Sequence, residues 1–184
     1  MGEPPLFDFT HHASVNDYAI STHDYLKARP NAAFSLMATG VLVFDTSNET
    51  KPRILLLQRA AHDSNPHKWE PPGGACDDDD KSILHAAARE LWEETGLEAS
   101  RFVGLVGQPY IFSLRSGKTV SRFYFLAQVN DFQSVKLDPN EHQNSLWVDE
   151  EEVRSGKANG VDLKITAPEV VQLILQGFSL IKTQ

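Results

Sequence analysis

The sequence lacks several features that mark whole classes of protein. It has one cysteine, Cys76, in 184 residues, so no disulfide can form within the chain and a reducing, cytoplasmic compartment is expected. It has no apolar run close to the roughly 20 residues that a membrane-spanning helix requires. Its first twelve residues hold no apolar segment typical of a secretory signal. We therefore expect an intracellular protein without a membrane partner.

Positive charge is also scarce. Lys and Arg number 17 against 25 Asp and Glu, which gives a formal net charge of −8, and the aspartates at 77–80 supply four of the negative charges. A negative chain without a basic stripe is repelled by phosphate backbones, so no nucleic-acid duplex is expected as a partner. An anionic small molecule can still bind where protein-held cations reverse the local potential. The pattern is compatible with a monomer or a homodimer.

Hydrophobic periodicity divides the chain into two parts. Residues 1–34 are polar and irregular apart from a helical pattern at 21–28, which predicts an extension that packs on the domain formed by 35–184. In that domain we predict strands at 38–44, 54–58, 102–108, 110–114, 120–129 and 145–148, and helices at 82–95 and 166–177. Thr166 and Glu169 have the spacing of a capping box. This order predicts a mixed sheet with helices packed on it.

The predicted helix at 82–95 carries three glutamates on one side. Glu90, Glu93 and Glu94 stand three and four residues apart, beside the apolar stripe of Leu84, Ala87, Ala88 and Leu91. Like charges at these spacings cost about 0.2–0.5 kcal/mol each, and the helix dipole disfavours negative charge in the last turn. A hard divalent cation removes these costs, because it prefers several carboxylate oxygens. The pattern therefore predicts a metal site, with a solvated acidic face as the alternative.

The residues around this helix favour the metal site. Gly73 and Gly74 precede it, and a glycine loop can bring a backbone carbonyl close to a bound cation. Gly96 ends the helix and lets the chain turn away. Arg89 stands four residues before Glu93 and can hold that carboxylate in place.

Residues 74–97 resemble the Nudix box of the MutT-type hydrolases, which reads Gly, five residues, Glu, seven residues, then Arg-Glu-apolar-x-Glu-Glu-x-Gly-apolar. The second half matches from Arg89 to Gly96, and the preceding Lys-Trp-Glu-Pro-Pro-Gly-Gly at 68–74 is similar to the family's approach to the box. The first half departs from the pattern. After Gly74 and five intervening residues the pattern requires glutamate, but the chain has Asp80. Before Arg89 and seven intervening residues it requires the same glutamate, but the chain has Lys81. The two counts differ by one, so the box contains one extra residue.

The resemblance implies a Nudix-type α/β/α sandwich with a mixed central sheet. It implies a pyrophosphohydrolase that uses Mg²⁺ or Mn²⁺ to hydrolyse a phosphoanhydride bond in a nucleoside diphosphate derivative. The implied metal ligands are the Gly73 carbonyl and the carboxylates of Asp80 (Asp79 as fallback), Glu90, Glu93 and Glu94. The implied catalytic residues are Arg89, Glu90, Glu93, Glu94 and Glu141. Glu90 is the first candidate for the general base, and Glu141 competes for that role.

Substrate contacts are harder to assign from sequence. Arg59 ends a predicted strand and resembles a position that contacts phosphate in relatives. Trp69 and Tyr110 are candidates to stack on a base, although aromatic residues on strands commonly fill the core. Arg122, with Arg115 and Lys118, could contact a phosphate, but a solvated hairpin tip is the favoured interpretation. His142 is expected to be structural or exposed.

Three alternatives remain at this stage. The altered first half of the box favours a non-catalytic Nudix-fold sensor that binds a nucleotide without cleaving it, whereas the intact glutamates oppose it. An isopentenyl diphosphate isomerase shares the fold but needs a well-placed cysteine, and Cys76 falls inside the box loop. The third alternative is an acidic helix face with no ligand.

Overall fold

The computed structural model describes residues 5–63, 65–132 and 135–182. The start of the predicted extension (1–4) and the end of the predicted domain (183–184) therefore lie outside the described residues. The helices are α1 (Thr22–Lys27), α2 (Ile83–Thr95), α3 (Glu150–Ser155) and α4 (Pro168–Ile181), with a 3₁₀ helix at Ala13–Tyr18. The strands are β1 (Thr10–His11), β2 (Leu36–Asp45), β3 (Arg53–Arg59), β4 (Trp69–Glu70), β5 (Ala99–Leu105), β6 (Tyr110–Ser113), β7 (Thr119–Val129), β8 (His142–Asp149), β9 (Lys157–Ala158) and β10 (Val161–Asp162).

The main sheet has the order β1-β5-β7-β2-β3-β4, with β6 paired to β7 and β8 paired to β3. β2 and β7 run parallel, whereas β2 and β3 pair antiparallel only at Phe44↔Ile54 and Asp45↔Arg53. The two strands therefore separate towards the other end of β2. There the loop after β4 takes the place of a strand, because Val41 and Thr39 donate their N–H groups to the carbonyls of Pro72 and Gly74.

Helices cover both faces of this sheet. Val41 and Val43 of β2 face a core shared with α2, while Leu42 and Phe44 face a second core shared with α4. Strands buried on both faces read as continuous apolar runs, as the central strands do here. The predicted α/β/α sandwich with a mixed sheet is confirmed.

Helix α2 forms where the local signals indicate it. The Ser82 side chain accepts a hydrogen bond from the His85 N–H at the start, and Gly96 closes the end with a left-handed φ of 71°. The predicted apolar stripe is buried, from Leu84 to Leu91. Each large apolar side chain buried in this way stabilises the fold by about 1.5–3 kcal/mol. The glutamates lie beside this stripe, and Glu90 and Glu94 are buried with it.

Two local predictions differ from the structure. The predicted capping box at Thr166 is wrong, because α4 begins at Pro168 after Ala167 and has no side-chain cap. Proline at the first helical position supplies a helical φ and removes one of the N–H groups that a helix start leaves unpaired. A capping box does occur at Asp149 and Glu152, where it starts α3, a helix that the sequence analysis missed.

The described part of the N-terminal segment contributes to the core. Val15 and Tyr25 are buried, and β1 pairs in parallel with β5. The Tyr18 ring packs against Phe123 and Phe125 at centroid distances of 5.1 and 5.2 Å. The division at residue 35 stays a prediction. Among the described residues, no helix is both long and apolar enough to cross a membrane.

Candidate functional site

The loop of Gly73 and Gly74 is wedged between β2 and α2. The Gly73 N–H donates to Glu94 Oε2 at 2.7 Å, and a Cβ on Gly73 would collide with the carbonyl oxygen of Thr39. A Cβ on Gly74 would lie 2.5 Å from Glu90 Oε2. Gly73 also has a φ of +144°, which side chains rarely permit. Glycine is therefore required here so that the backbone can touch the carboxylates of α2.

Two of the three helix glutamates are buried. Glu90 is 9% and Glu94 4% exposed, whereas the Glu93 side chain is 45% exposed. Burial raises the pKa of Glu90 to about 7, despite the neighbouring guanidinium of Arg89. Burial also raises the pKa of Glu94 well above its usual value, and the nearby Glu90 carboxylate adds to the effect. Desolvation penalises charge unless an opposite charge lies close by. The site is therefore built for a positive ligand.

Arg89 links this helix to the loop before it. Its Nη1 atom donates to Glu90 Oε1 at 2.8 Å and to Glu93 Oε2 at 2.9 Å. Its Nε and Nη2 atoms donate to the two oxygens of Asp80 at 3.0 and 2.9 Å. The Asp80 carboxylate thus faces Arg89, the same guanidinium that bonds Glu90 and Glu93. The binding of the metal by Asp80 stays a prediction.

The turn before β8 brings a further carboxylate to the site. Ligand atoms of Glu94, Glu141 and His142 all lie within 4.8 Å of one another. The turn is held in place because the Ala60 N–H donates to the Glu141 carbonyl at 2.8 Å. The structure therefore places Glu141 where it can act together with α2.

His142 was missed as a site residue. It is 2% exposed, and its Nδ1 atom lies 4.0 Å from Glu94 Oε1. None of the described residues provides either ring nitrogen with a hydrogen-bond partner. The only signal in the sequence was that His142 directly follows Glu141. Its burial at the start of β8 depends on tertiary packing and could not be predicted from sequence.

These observations test whether the residues fit a divalent cation. The ligand atoms of Glu94, Glu141 and His142 lie within 4.8 Å of one another, and neither ring nitrogen of His142 has a partner among the described residues. The buried Glu90 carboxylate lies beside the adjacent Gly74. The Gly73 carbonyl lies between two that pair with β2, and it accepts no backbone bond from the described residues. Carboxylate, carbonyl and imidazole groups are all metal ligands. The residues fit such an ion.

A cavity of about 290 Å³ is lined by Glu70, whose carboxylate adds to the raised pKa of Glu94, and not by the glutamates of α2 themselves. Arg59 pairs across β3 and β8 with His142, so it links the cavity to the turn of Glu141. The residues that line the cavity are Arg59, Asn65, Glu70, Tyr110, Phe112, Arg122, Tyr124, Thr166, Ala167 and Val170. The rings of Tyr110 and Phe112 stack with centroids 5.4 Å apart. The cavity thus combines aromatic rings with two guanidinium groups.

The structure separates the candidates for substrate contact. Arg59 and Tyr110 both line the cavity, although Arg59 is already paired with Glu70 and Asp63. Trp69 is fully buried in the core below α4 and does not line the cavity, so its expected contact with substrate is corrected. Arg122 is also corrected, because it lies within β7 with 17% of its side chain exposed, near Glu70.

Comparisons with known proteins agree with this geometry. The family model described as NUDIX domain matches residues 35–167. The chain is 33% identical over 122 residues to the bis(5'-nucleosyl)-tetraphosphatase [asymmetrical] of Rattus norvegicus, with 62% of this chain and 79% of that protein covered. It is 36% identical over 107 residues to the CTP pyrophosphohydrolase of Escherichia coli (strain K12), with 56% and 72% covered.

A solved structure shows the same fold. The NUDIX hydrolase from Nitrosomonas europaea has a TM-score of 0.60 and 26% identity, with 80% of this chain and 90% of that chain covered. The match to the family model spans well over half of the chain and includes the glutamates of α2, the glycine loop and the turn of Glu141. The chain belongs to the Nudix hydrolase family.

Proposed function

We propose that this Nudix pyrophosphohydrolase binds the phosphates of a nucleoside diphosphate derivative beside α2 and hydrolyses one of their anhydride bonds. The observation that carries the proposal is the convergence of buried Glu90 and Glu94 on the Gly73 loop, with Glu141 close by. Such a cluster binds an anion only through a cation, and phosphate chains are the anions for which metal clamps are common.

Dinucleoside polyphosphates are the substrate class that we propose first. The rat relative is named as a bis(5'-nucleosyl)-tetraphosphatase and the bacterial one as a CTP pyrophosphohydrolase. The cavity supports a nucleotide, since Tyr110 and Phe112 present stacked rings while Arg122 and Arg59 supply positive charge. Aromatic rings stack on any base, and guanidinium groups pair with phosphate.

Mg²⁺ or Mn²⁺ is the proposed cofactor. The ligands that we propose are Gly73 through its carbonyl, Glu90, Glu93, Glu94 and Glu141. When bound, such an ion neutralises phosphate charge and lowers the pKa of a coordinated water.

The protein groups then have separable roles. Arg89 holds Glu90 and Glu93 through its Nη1 atom and keeps both carboxylates oriented. Glu90 is the proposed base that takes a proton from the attacking water, because its buried carboxylate lies in the site beside the Gly74 backbone. Glu141 is exposed and free of Arg89, which makes it the competing base. Glu90→Gln and Glu141→Gln, compared for kcat at saturating metal, distinguish the two.

A substrate screen tests the proposed function. The purified protein is incubated with Mg²⁺ or Mn²⁺ and a panel of dinucleoside polyphosphates, nucleoside triphosphates and nucleotide sugars, in water enriched in ¹⁸O. Mass spectrometry of the products identifies the substrate, and the labelled product identifies the phosphorus that water attacks. The inactive control is Glu93→Gln. Binding without turnover of every compound would favour the sensor instead.

The comparisons favour the enzyme over the sensor, because the relatives carry the names of hydrolases. The isomerase alternative also loses support, since burial raises the pKa of the Cys76 thiol to about 12 and leaves no thiolate at neutral pH. A cytoplasmic location, a monomer or homodimer, and the lack of a nucleic-acid duplex as partner stay predictions. Light scattering and a duplex-binding assay address the last two.

A further inference from the structure

His142 is a buried side chain whose polar atoms have no partner in the described chain. It is 2% exposed, and both ring nitrogens lack a hydrogen bond from the described residues. Leaving a buried donor or acceptor unpaired costs about 1–3 kcal/mol, and folded proteins rarely do so. An imidazole in this position therefore calls for a ligand.

The distance to its neighbour indicates what kind of ligand. His142 Nδ1 and Glu94 Oε1 are 4.0 Å apart, which is too long for a hydrogen bond. Two atoms that bind the same cation at about 2.0–2.2 Å each can be separated by up to about 4.2 Å. The observed gap falls within the range open to two ligands of one cation. The exposed side chain of Glu141 completes the group, with all three ligand atoms within 4.8 Å.

We infer that His142 is a metal ligand and that, with Glu94 and Glu141, it forms a mixed nitrogen and oxygen site that prefers Mn²⁺ and related transition ions to Mg²⁺. Imidazole nitrogen suits first-row transition metals, whereas Mg²⁺ selects oxygen ligands. The carboxylates of Glu90 and Glu93 are bonded to Arg89, whereas the bonds described for Arg89 include none to Glu94, Glu141 or His142. The inference rests on the proposed metal-dependent function for the presence of an ion.

Pulsed electron paramagnetic resonance on the Mn²⁺-loaded full chain tests this directly. A histidine nitrogen bound to Mn²⁺ produces a ¹⁴N coupling in the spin-echo modulation. Labelling the protein with ¹⁵N-histidine replaces this ¹⁴N coupling with a ¹⁵N coupling. We expect this coupling in the wild-type protein and its loss in His142→Asn. The matched control is His62→Asn, because His62 is exposed and its Nε2 atom bonds the Asn140 carbonyl, one residue from Glu141. That variant should keep the coupling.

Titration calorimetry supplies a second measurement. We expect His142→Asn to weaken Mn²⁺ binding by at least about tenfold, the lower end of what even an outer partner of a metal ligand contributes. Mg²⁺ binding should change less, so the ratio of the two affinities should fall. If His142→Asn does not fold, the labelled wild-type protein and the anomalous scattering peak of Mn²⁺ in its crystals still locate the ion.

Two results would overturn the inference. One is stoichiometric Mn²⁺ without a histidine coupling, and the other is an anomalous peak beyond bonding distance of the His142 ring. Hydrolysis by a protein with an all-oxygen Mn²⁺ shell would retain the proposed function and reject this ligand. A histidine coupling in a protein that cleaves no substrate would retain the ligand and reject the function.

Discussion

The backbone N–H of Gly73 donates to Oε2 of Glu94 at 2.7 Å and joins the glycine loop to helix α2. The same loop is bonded to β2 through Pro72 and Gly74, so strand, loop and helix form one connected unit. Oε1 of Glu94 is directed towards His142 and Glu141. Changes in the loop should therefore reach the carboxylates even where no site side chain is altered.

Gly74→Ala is expected to weaken metal binding while the fold is kept. The new Cβ would lie 2.5 Å from Glu90 Oε2, so the flexible carboxylate must move away from its place in the site. We expect metal affinity to fall by roughly 10–100-fold, as for other changes that misplace a metal ligand. Calorimetry with Mn²⁺ measures it. The control is Gly104→Ala, whose Cβ would meet only Ser14 Oγ, at 3.8 Å; an equal loss in that variant would contradict the prediction.

Neutralising Glu90 should stabilise the metal-free protein. Its folded-state pKa is raised from 4.5 to about 7 by burial, so the folded state binds more protons than the unfolded state between these values. The unfolding free energy of the wild-type protein therefore rises as pH falls through about 7 towards 4.5, and the charged form is penalised above 7. At pH 8.5 with a chelator we expect Glu90→Gln to be more stable by about 1–3 kcal/mol.

Thermal melts at pH 8.5 and pH 5 check this prediction. The gain from Glu90→Gln should shrink at the lower pH, because the wild-type carboxyl is then largely protonated as well. The matched control is Glu98→Gln, an exposed glutamate just after α2. A stability gain that is independent of pH, or absent at pH 8.5, would show that burial of Glu90 carries no electrostatic cost.

Local signals were sufficient to predict α2 and its glutamates. The apolar stripe, the Ser82 cap and Gly96 all lie within one segment, so periodicity and end residues determine the helix without help from distant contacts. The hairpin of β2 and β3 was predictable for the same reason. The burial of both faces of the sheet was also predictable, because strands covered on both sides do not alternate between apolar and polar residues.

Contacts between distant segments could not be read in this way. Whether Glu141 approaches Glu94 depends on how β3 pairs with β8, and the burial of His142 depends on the same pairing. Counting along the box predicted that Asp80 binds the metal. In the structure its oxygens accept hydrogen bonds from the Arg89 guanidinium, because the loop before α2 brings the two side chains together. Sequence spacing identifies candidate site residues, whereas tertiary packing determines which groups their side chains contact.

A double-mutant cycle should show that Asp80 acts through Arg89. Asp80→Asn removes the charged partner of a largely buried guanidinium, and we expect a loss of about 1–3 kcal/mol in unfolding free energy. In an Arg89→Gln background the same change should have little further effect on stability or metal affinity, because the partner is already gone. Asp78→Asn, an exposed neighbour, is the control. If Asp80→Asn weakens Mn²⁺ binding equally in both backgrounds, Asp80 is a metal ligand.

Tyr110→Ala is expected to weaken substrate binding with little change in the chemical step. The Tyr110 ring lines the cavity and stacks on Phe112, whereas the next residue, Ile111, is 49% exposed on the other face of β6. Loss of one aromatic contact of about 0.5–1.5 kcal/mol corresponds to a roughly 2–10-fold rise in KM. Steady-state kinetics on the substrate found by the screen measure this change. Ile111→Ala, the matched control, should leave KM unaltered, because its side chain faces solvent on the same short strand. A loss confined to kcat in Tyr110→Ala would instead place this ring beside the reacting phosphates, where an interaction made only in the transition state lowers kcat.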